Sequence, residues 1–244
     1  MVLHMRSLVV EAGWGSENHV MFLVHHKSNQ TLSQTEKNTI LLLSNIPTEF
    51  HSLCHVFTDG EMKAEYSGYS EQRFHPHITF AHVMRLHPKY ELVWFIEEDV
   101  RYTGRWPTLF RDVELFANNQ GLQQVPDFVS FEDICEPTSD WVYSKECEHV
   151  FDRQTQRHSL GVVWGWSQNL AKALIDRLKK DDQNCYYEVF PPSVAKNASL
   201  NSLFVPHSLS LKKGIVKTGV VCQHARSLLL VRSQFQEDGL SMMA

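Results

Sequence analysis

The sequence has no apolar run approaching the roughly 18 to 20 residues that a membrane helix needs, its longest being short stretches such as Leu92–Ile96. No membrane span is therefore expected in this chain. A CxxC pair is missing as well: the five Cys, at 54, 135, 147, 185 and 222, are widely spaced, which argues against a structural zinc site. Their odd number leaves at least one thiol over if any pair forms, so pairing and redox compartment stay open. There is no basic excess, since 23 Lys and Arg face 28 Asp and Glu for a net charge of -5 with His neutral; nucleic acid is not an expected partner. GxSxG, HExxH, Walker and GxGxxG strings are absent too, which removes the common hydrolase, zincin and dinucleotide fingerprints. Met1–Val10 lacks the charged, long apolar and small-residue succession of a secretory leader. With no internal repeat, low-complexity tract or clear linker, one domain over residues 1–244 is expected.

What is present is a core's worth of apolar material, 43% of 244 residues, arranged in an α/β alternation. Val20–Val24 reads as a buried strand followed by a polar loop, His25–Asn38. Leu53–Phe57 reads as a strand stopped by the turn signal Asp59-Gly60. Ile78–Leu86 has helical spacing and ends before Pro88. Asn169–Lys180 sets Leu170, Leu174, Ile175 and Leu178 along one face, with Ser167 as N-cap. Strand-like runs at Gly161–Trp164 and Leu203–Val205 flank a proline corner at Pro191-Pro192. Two N-glycosylation sequons, Asn29-Gln30-Thr31 and Asn197-Ala198-Ser199, would suit a lumenal chain.

Leu92–Ile96 shows no polar alternation, the pattern of a strand covered on both faces in a mainly parallel sheet. It runs directly into Glu97-Glu98-Asp99. Ligands of open α/β sheets sit outside the carboxyl ends of strands, where such acids can hold a cation that neutralises a phosphate. Glu97 and Asp99 would share a face, with Glu98 turned away. Solvation of a strand end, with pairing to Arg101 and Arg105, is the plainer alternative. His75-Pro76-His77 invites a metal reading but has no carboxylate or Cys at matching spacing.

The string from Trp94 to Trp106, WFIEEDVRYTGRW, resembles the W-x-x-E-x-D-V-R-[YF]-T-G signature of a family of uncharacterised fungal and protist proteins. That family is in turn similar to GT-A-type glycosyltransferases, whose acidic metal motif ends a central strand. Looser likeness runs from Met5 to about Ser210, through Asn45–Phe50, Glu188–Ser193 and Val205-Pro206-His207. The resemblance implies a GT-A-like, Rossmann-like α/β fold with a mainly parallel central sheet flanked by helices. Such folds open with a base-binding strand, and this chain starts at or after that point, so an N-terminally truncated domain is expected.

The activity implied is transfer of a sugar from a nucleoside-diphosphate sugar to a glycan, glycoprotein or glycolipid acceptor, with Mn2+ or Mg2+ as cofactor. A Golgi or other secretory lumen is the implied site of action. Asp99 is the expected metal ligand and His207 a second one, while Glu97, Glu98 and Arg101 would contact the bound cofactor and donor. Glu188, just before Phe190-Pro191-Pro192, would take the acceptor hydroxyl's proton. Trp164 and Trp166 offer flat faces to an acceptor sugar, with packing of the following helix as the rival role. The alternative for the whole chain is a truncated, non-catalytic GT-A-like domain with at most a glycan-binding role.

Overall fold

The computed structural model describes residues 2–14, 18–70, 72, 74–97, 100, 102, 104–122, 124–180, 183–206 and 227–233, with backbone alone for 2–4 and 227–233. In chain order the elements are α1 (Val2–Leu8), a π-helical turn (Val9–Gly13), β1 (Asn18–His26), α2 (Gln34–Leu43), a 3-10 turn (Thr48–Leu53), β2 (Cys54–Thr58), α3 (Asp59–Glu65), α4 (Pro76–Leu86), β3 (Tyr90–Glu97), α5 (Trp106–Asn119), β4 (Phe128–Ser130), α6 (Val142–Glu146), β5 (Val163–Ser167), α7 (Gln168–Leu178), α8 (Phe190–Asn197), β6 (Ser202–Phe204) and β7 (Ser227–Ser233). The strands form a single seven-stranded sheet in the order β2-β1-β7-β3-β5-β4-β6.

The fold is mixed α/β, and the sheet is mixed rather than mainly parallel. Among the described residues only β1 with β2 and β4 with β6 pair in parallel. The four pairings of β7 with β1 and β3, and of β5 with β3 and β4, are antiparallel. The strands β1, β2, β3, β4 and β6 thus share one direction, and β5 and β7 oppose it. The error has a physical cause: unbroken apolarity reports coverage of both faces and is silent on strand direction.

Coverage on both faces is what β3 has. Val93 and Phe95 pack with Ile78 and Phe80 of α4, Leu170 and Leu174 of α7, and Phe190 of α8. Leu92, Trp94 and Ile96 point the other way, onto Leu8 of α1, Leu41 of α2 and Trp106, Phe110 and Val113 of α5. Each such buried chain contributes about 1.5–3 kcal/mol against exposure to water. Among the described residues no helix is long and apolar enough to cross a membrane.

Local chemistry sets the helix starts, in two places against the sequence reading. The polar loop after β1 is in part helix α2, opened by a capping box in which Ser33 Oγ accepts from the Glu36 amide and the Glu36 carboxylate accepts from the Ser33 amide. Asp59-Gly60 is no hairpin turn: Thr58 and Glu61 form a second capping box and the chain enters α3. Gly60 is required there because its N–H donates to Ser28 O at 2.9 Å, so close that a Cβ would lie 2.4 Å from the Asn29 carbonyl carbon. Pro191 and Pro192 sit in the first turn of α8, where a missing N–H costs nothing. Ser167 caps α7 as expected, its Oγ accepting from the Leu170 amide.

Candidate functional site

Because five strands share a direction, their carboxyl ends gather on one edge of the sheet, and the antiparallel β5 enters from that same edge. Glu97 closes β3 there, half-buried, its N–H donating to Val162 O at 3.0 Å. Across from it the segment before α8 delivers Glu188, which is 9% exposed. The Glu188 carboxylate accepts from the Gly161 amide and, at 3.3 Å, from the Tyr187 hydroxyl, while its own carbonyl accepts from Ser159 N at 3.0 Å. Burial pushes the Glu188 carboxyl above its ordinary value, the two hydrogen bonds pulling the other way. The phenols of Tyr186 and Tyr187 are pushed up by burial first, then by the charges of both Glu188 and Glu97. Glu97 bonds to Val162 and Glu188 to the adjoining Gly161, so two acids distant in sequence meet where the chain enters β5.

Half-buried aromatic rings extend from this pair. Tyr186 stacks on Tyr143 with centroids 3.8 Å apart and planes 11° off parallel. Trp141 meets Tyr186 edge-on at 6.1 Å and lies 4.8 Å from His158. A disulfide, Cys147–Cys185, joins the end of α6, which carries Tyr143, to the segment carrying Tyr186, Tyr187 and Glu188. Gly161 admits Tyr187 against the strand, since a Cβ there would lie 2.7 Å from the ring.

The tryptophans singled out in the sequence lie elsewhere. Trp164 and Trp166 are 0% and 2% exposed, stacked on each other at 5.9 Å beneath α4 and α7. Neither presents a ring face to a sugar, because the five residues of β5 are buried throughout; packing is the role the structure gives them. Each indole N–H is without a hydrogen-bond partner among the described residues. His77 is fully buried and its Nε2 meets Asn184 Oδ1 at 2.8 Å, with burial pushing its pKa well down. Glu98, Asp99, Arg101 and His207 lie outside the described residues.

A second polar cluster occupies the ends of β1 and β2. Asp59, 5% exposed, pairs with His25 Nε2 at 2.9 Å and accepts from the Tyr69 hydroxyl at 2.8 Å. It floors a cavity of about 750 Å3 also lined by Lys27, Ser28, Asn29, Lys63 and Ser70. Nothing in the sequence marked this group, because Asp59 with Gly60 mimics a turn. Trp141, Tyr143 and Tyr186 were missed for a different reason: the first two lie far from Tyr186 in sequence, and the disulfide and α6 bring them together.

Among the described residues no group of three His, Cys, Asp or Glu side chains is placed to hold a metal ion. The described acids at the β3 end are Glu97 and Glu188, the latter accepting from the Tyr187 hydroxyl. A family model matches residues 1–125 of the 244. The chain belongs to that family, a protein of unknown function (DUF3405). No curated protein and no solved structure matches. The DUF3405 match takes in β1, β2, β3 and the acids after β3; Glu188, the aromatic rings and the disulfide lie beyond it.

Proposed function

We propose that this DUF3405 chain is a metal-dependent glycosyltransferase-like protein on a GT-A-like fold, moving a sugar from a nucleoside-diphosphate sugar to a hydroxyl of a glycan, protein or lipid. The observation that carries the reading is the meeting of Glu97 and Glu188 at the carboxyl edge, Glu97 bonded to Val162 and Glu188 to the adjoining Gly161 amide and the Tyr187 hydroxyl, beside half-buried aromatic rings. The shared direction of β1, β2, β3, β4 and β6 supports it, since it puts all their carboxyl ends on that edge.

In this reading Glu188 takes the proton of the acceptor hydroxyl. Its raised pKa makes it a better base than an exposed carboxylate, and the Gly161 amide and Tyr187 hydroxyl hold it in place. The stacked faces of Tyr143 and Tyr186, with Trp141, seat the acceptor ring. Asp99, with Glu97, Glu98 and His207, would hold Mn2+ or Mg2+, carboxylate oxygens being suited to either ion. Arg101 would meet a donor phosphate. The cation's part is to stabilise charge on the departing nucleoside diphosphate. Among the described residues the acids alone fall short of a cation shell. The Cys147–Cys185 bond supports action in the Golgi or another secretory lumen.

Calorimetric titration with UDP and GDP, each with and without manganese, tests the donor half of the proposal. Manganese-dependent binding of either nucleotide is expected, lost in Asp99→Ala with the fold retained. A folded sample that binds neither nucleotide would remove the donor site.

A further inference from the structure

We infer that Asn197 is an N-glycan acceptor, in a chain that closes its Cys147–Cys185 bond in an oxidising lumen. The inference rests on the lumenal placement above and not on sugar transfer by this chain. Three features carry it. Both members of the disulfide are buried, Cys147 at 0% and Cys185 at 6% exposure, so the bond belongs to the folded core and must form during folding in a compartment that permits it. Asn197-Ala198-Ser199 is a complete sequon whose three residues are all exposed, at the C-terminal end of α8. Its backbone leaves the helix in a tight turn, Ser199 adopting φ 53° and Leu200 N returning to Ala195 O at 2.9 Å.

Position on the sheet distinguishes this sequon from the other. The turn leads directly to Asn201, whose N–H donates to Asp127 Oδ2 at 3.0 Å, at the starts of β4 and β6. That is the amino edge of the sheet, opposite Glu97 and Glu188, so an oligosaccharide there leaves the candidate site open. Asn29 is also exposed, but it lines the cavity on the carboxyl edge and its Oδ1 accepts from Lys63 at 3.2 Å. The donor is a lipid-diphosphate-linked oligosaccharide. The Asn197 amide nitrogen forms a C–N bond to its anomeric carbon and gives up one proton. The C–O bond to the lipid diphosphate breaks, and the diphosphate leaves with the bonding pair.

The full chain is expressed behind a cleavable secretory leader in human cells, as Asn29→Gln, Asn29→Gln/Asn197→Gln and Asn29→Gln/Ser199→Ala. Total cell protein is analysed, so a retained chain is scored as well as a secreted one. Peptide N-glycosidase should shift the Asn29→Gln band by a single step and neither double variant at all, and the peptide holding residue 197 should then read as Asp. A non-reducing digest should show Cys147 joined to Cys185. An unmodified Asn197 in protein with that bond closed overturns the inference, and so does lumenal protein with both thiols free. Nucleotide titration has no bearing on the band shift, so failure here and failure of the donor site are separately visible.

Discussion

At the ends of β1 and β2 a buried carboxylate, Asp59, is matched by an imidazole and a phenol, and the cavity above it is walled by Lys27, Lys63 and small polar chains. At the end of β3 and the start of β5, two carboxylates and two tyrosines crowd together beside aromatic rings, with a disulfide holding the rings in place. One sheet edge thus carries a cation-lined half and an acidic, aromatic half. In the proposed function the second half would meet the hydroxyls and flat faces of a sugar. Position on the edge does not by itself define chemistry; the loops that land on it do.

The largest effect is expected in the core beneath the acidic half. Trp164 is fully buried under the acidic half and lies 6.1 Å from Tyr187, so Trp164→Ala should cost about 3–5 kcal/mol in urea unfolding. A loss under 1 kcal/mol would mean the ring is not part of the core. Removing the disulfide by Cys147→Ser with Cys185→Ser should cost about 2–4 kcal/mol, the bond closing a loop across 38 residues. It should quench the Tyr143–Tyr186 stacking signal in near-ultraviolet dichroism and leave the His25–Asp59 half intact. On the other half, Gly60→Ala forces a Cβ into the Asn29 backbone and should cost about 1–3 kcal/mol; an unchanged melting temperature would show that the loop yields.

Titration separates the halves by sign. Burial lowers His55 and His75 from 6.5 to about 4, so the folded state favours their neutral form. Their contribution is whole above pH 6.5 and is lost as pH falls through about 4. Glu188 runs the other way: its raised value favours the protonated carboxyl in the fold, so its contribution is present below the ordinary carboxylate range and lost as pH rises through the raised value. Melting temperature followed from pH 4 to 8 should therefore gain a steeper acid limb in Glu188→Gln, the smallest effect of the set. A slope unchanged by that substitution would place Glu188 in contact with solvent.

Much of the architecture was legible because it rests on short-range patterns. The buried strands at Val20 and Leu92, the helix after Pro76 and the Ser167 cap follow from spacing and capping alone. Glu97 and Glu188 were legible as single candidates, from a strand end and a proline corner. What escaped depends on contacts across long separations. The two capping boxes at Ser33 and Thr58 were readable and were masked by polar composition. No local signal separates the buried Trp164 from the half-buried Trp141, since neither neighbour tells which strand will lie beneath the helices. Which cysteines pair is likewise a property of the folded chain, where α6 meets the segment before α8.

The place of β7 bears on how the molecule is made. It is the last described strand, yet it lies between β1 and β3 and is bonded to both. A ribosome delivering this chain in order would release β2-β1 and β3-β5-β4-β6 as two incomplete sheets, each with an open inner edge awaiting a partner. The sheet closes only when residues 227–233 have emerged, so the interval before that is when the nascent chain is most exposed to wrong pairing and most in need of a chaperone.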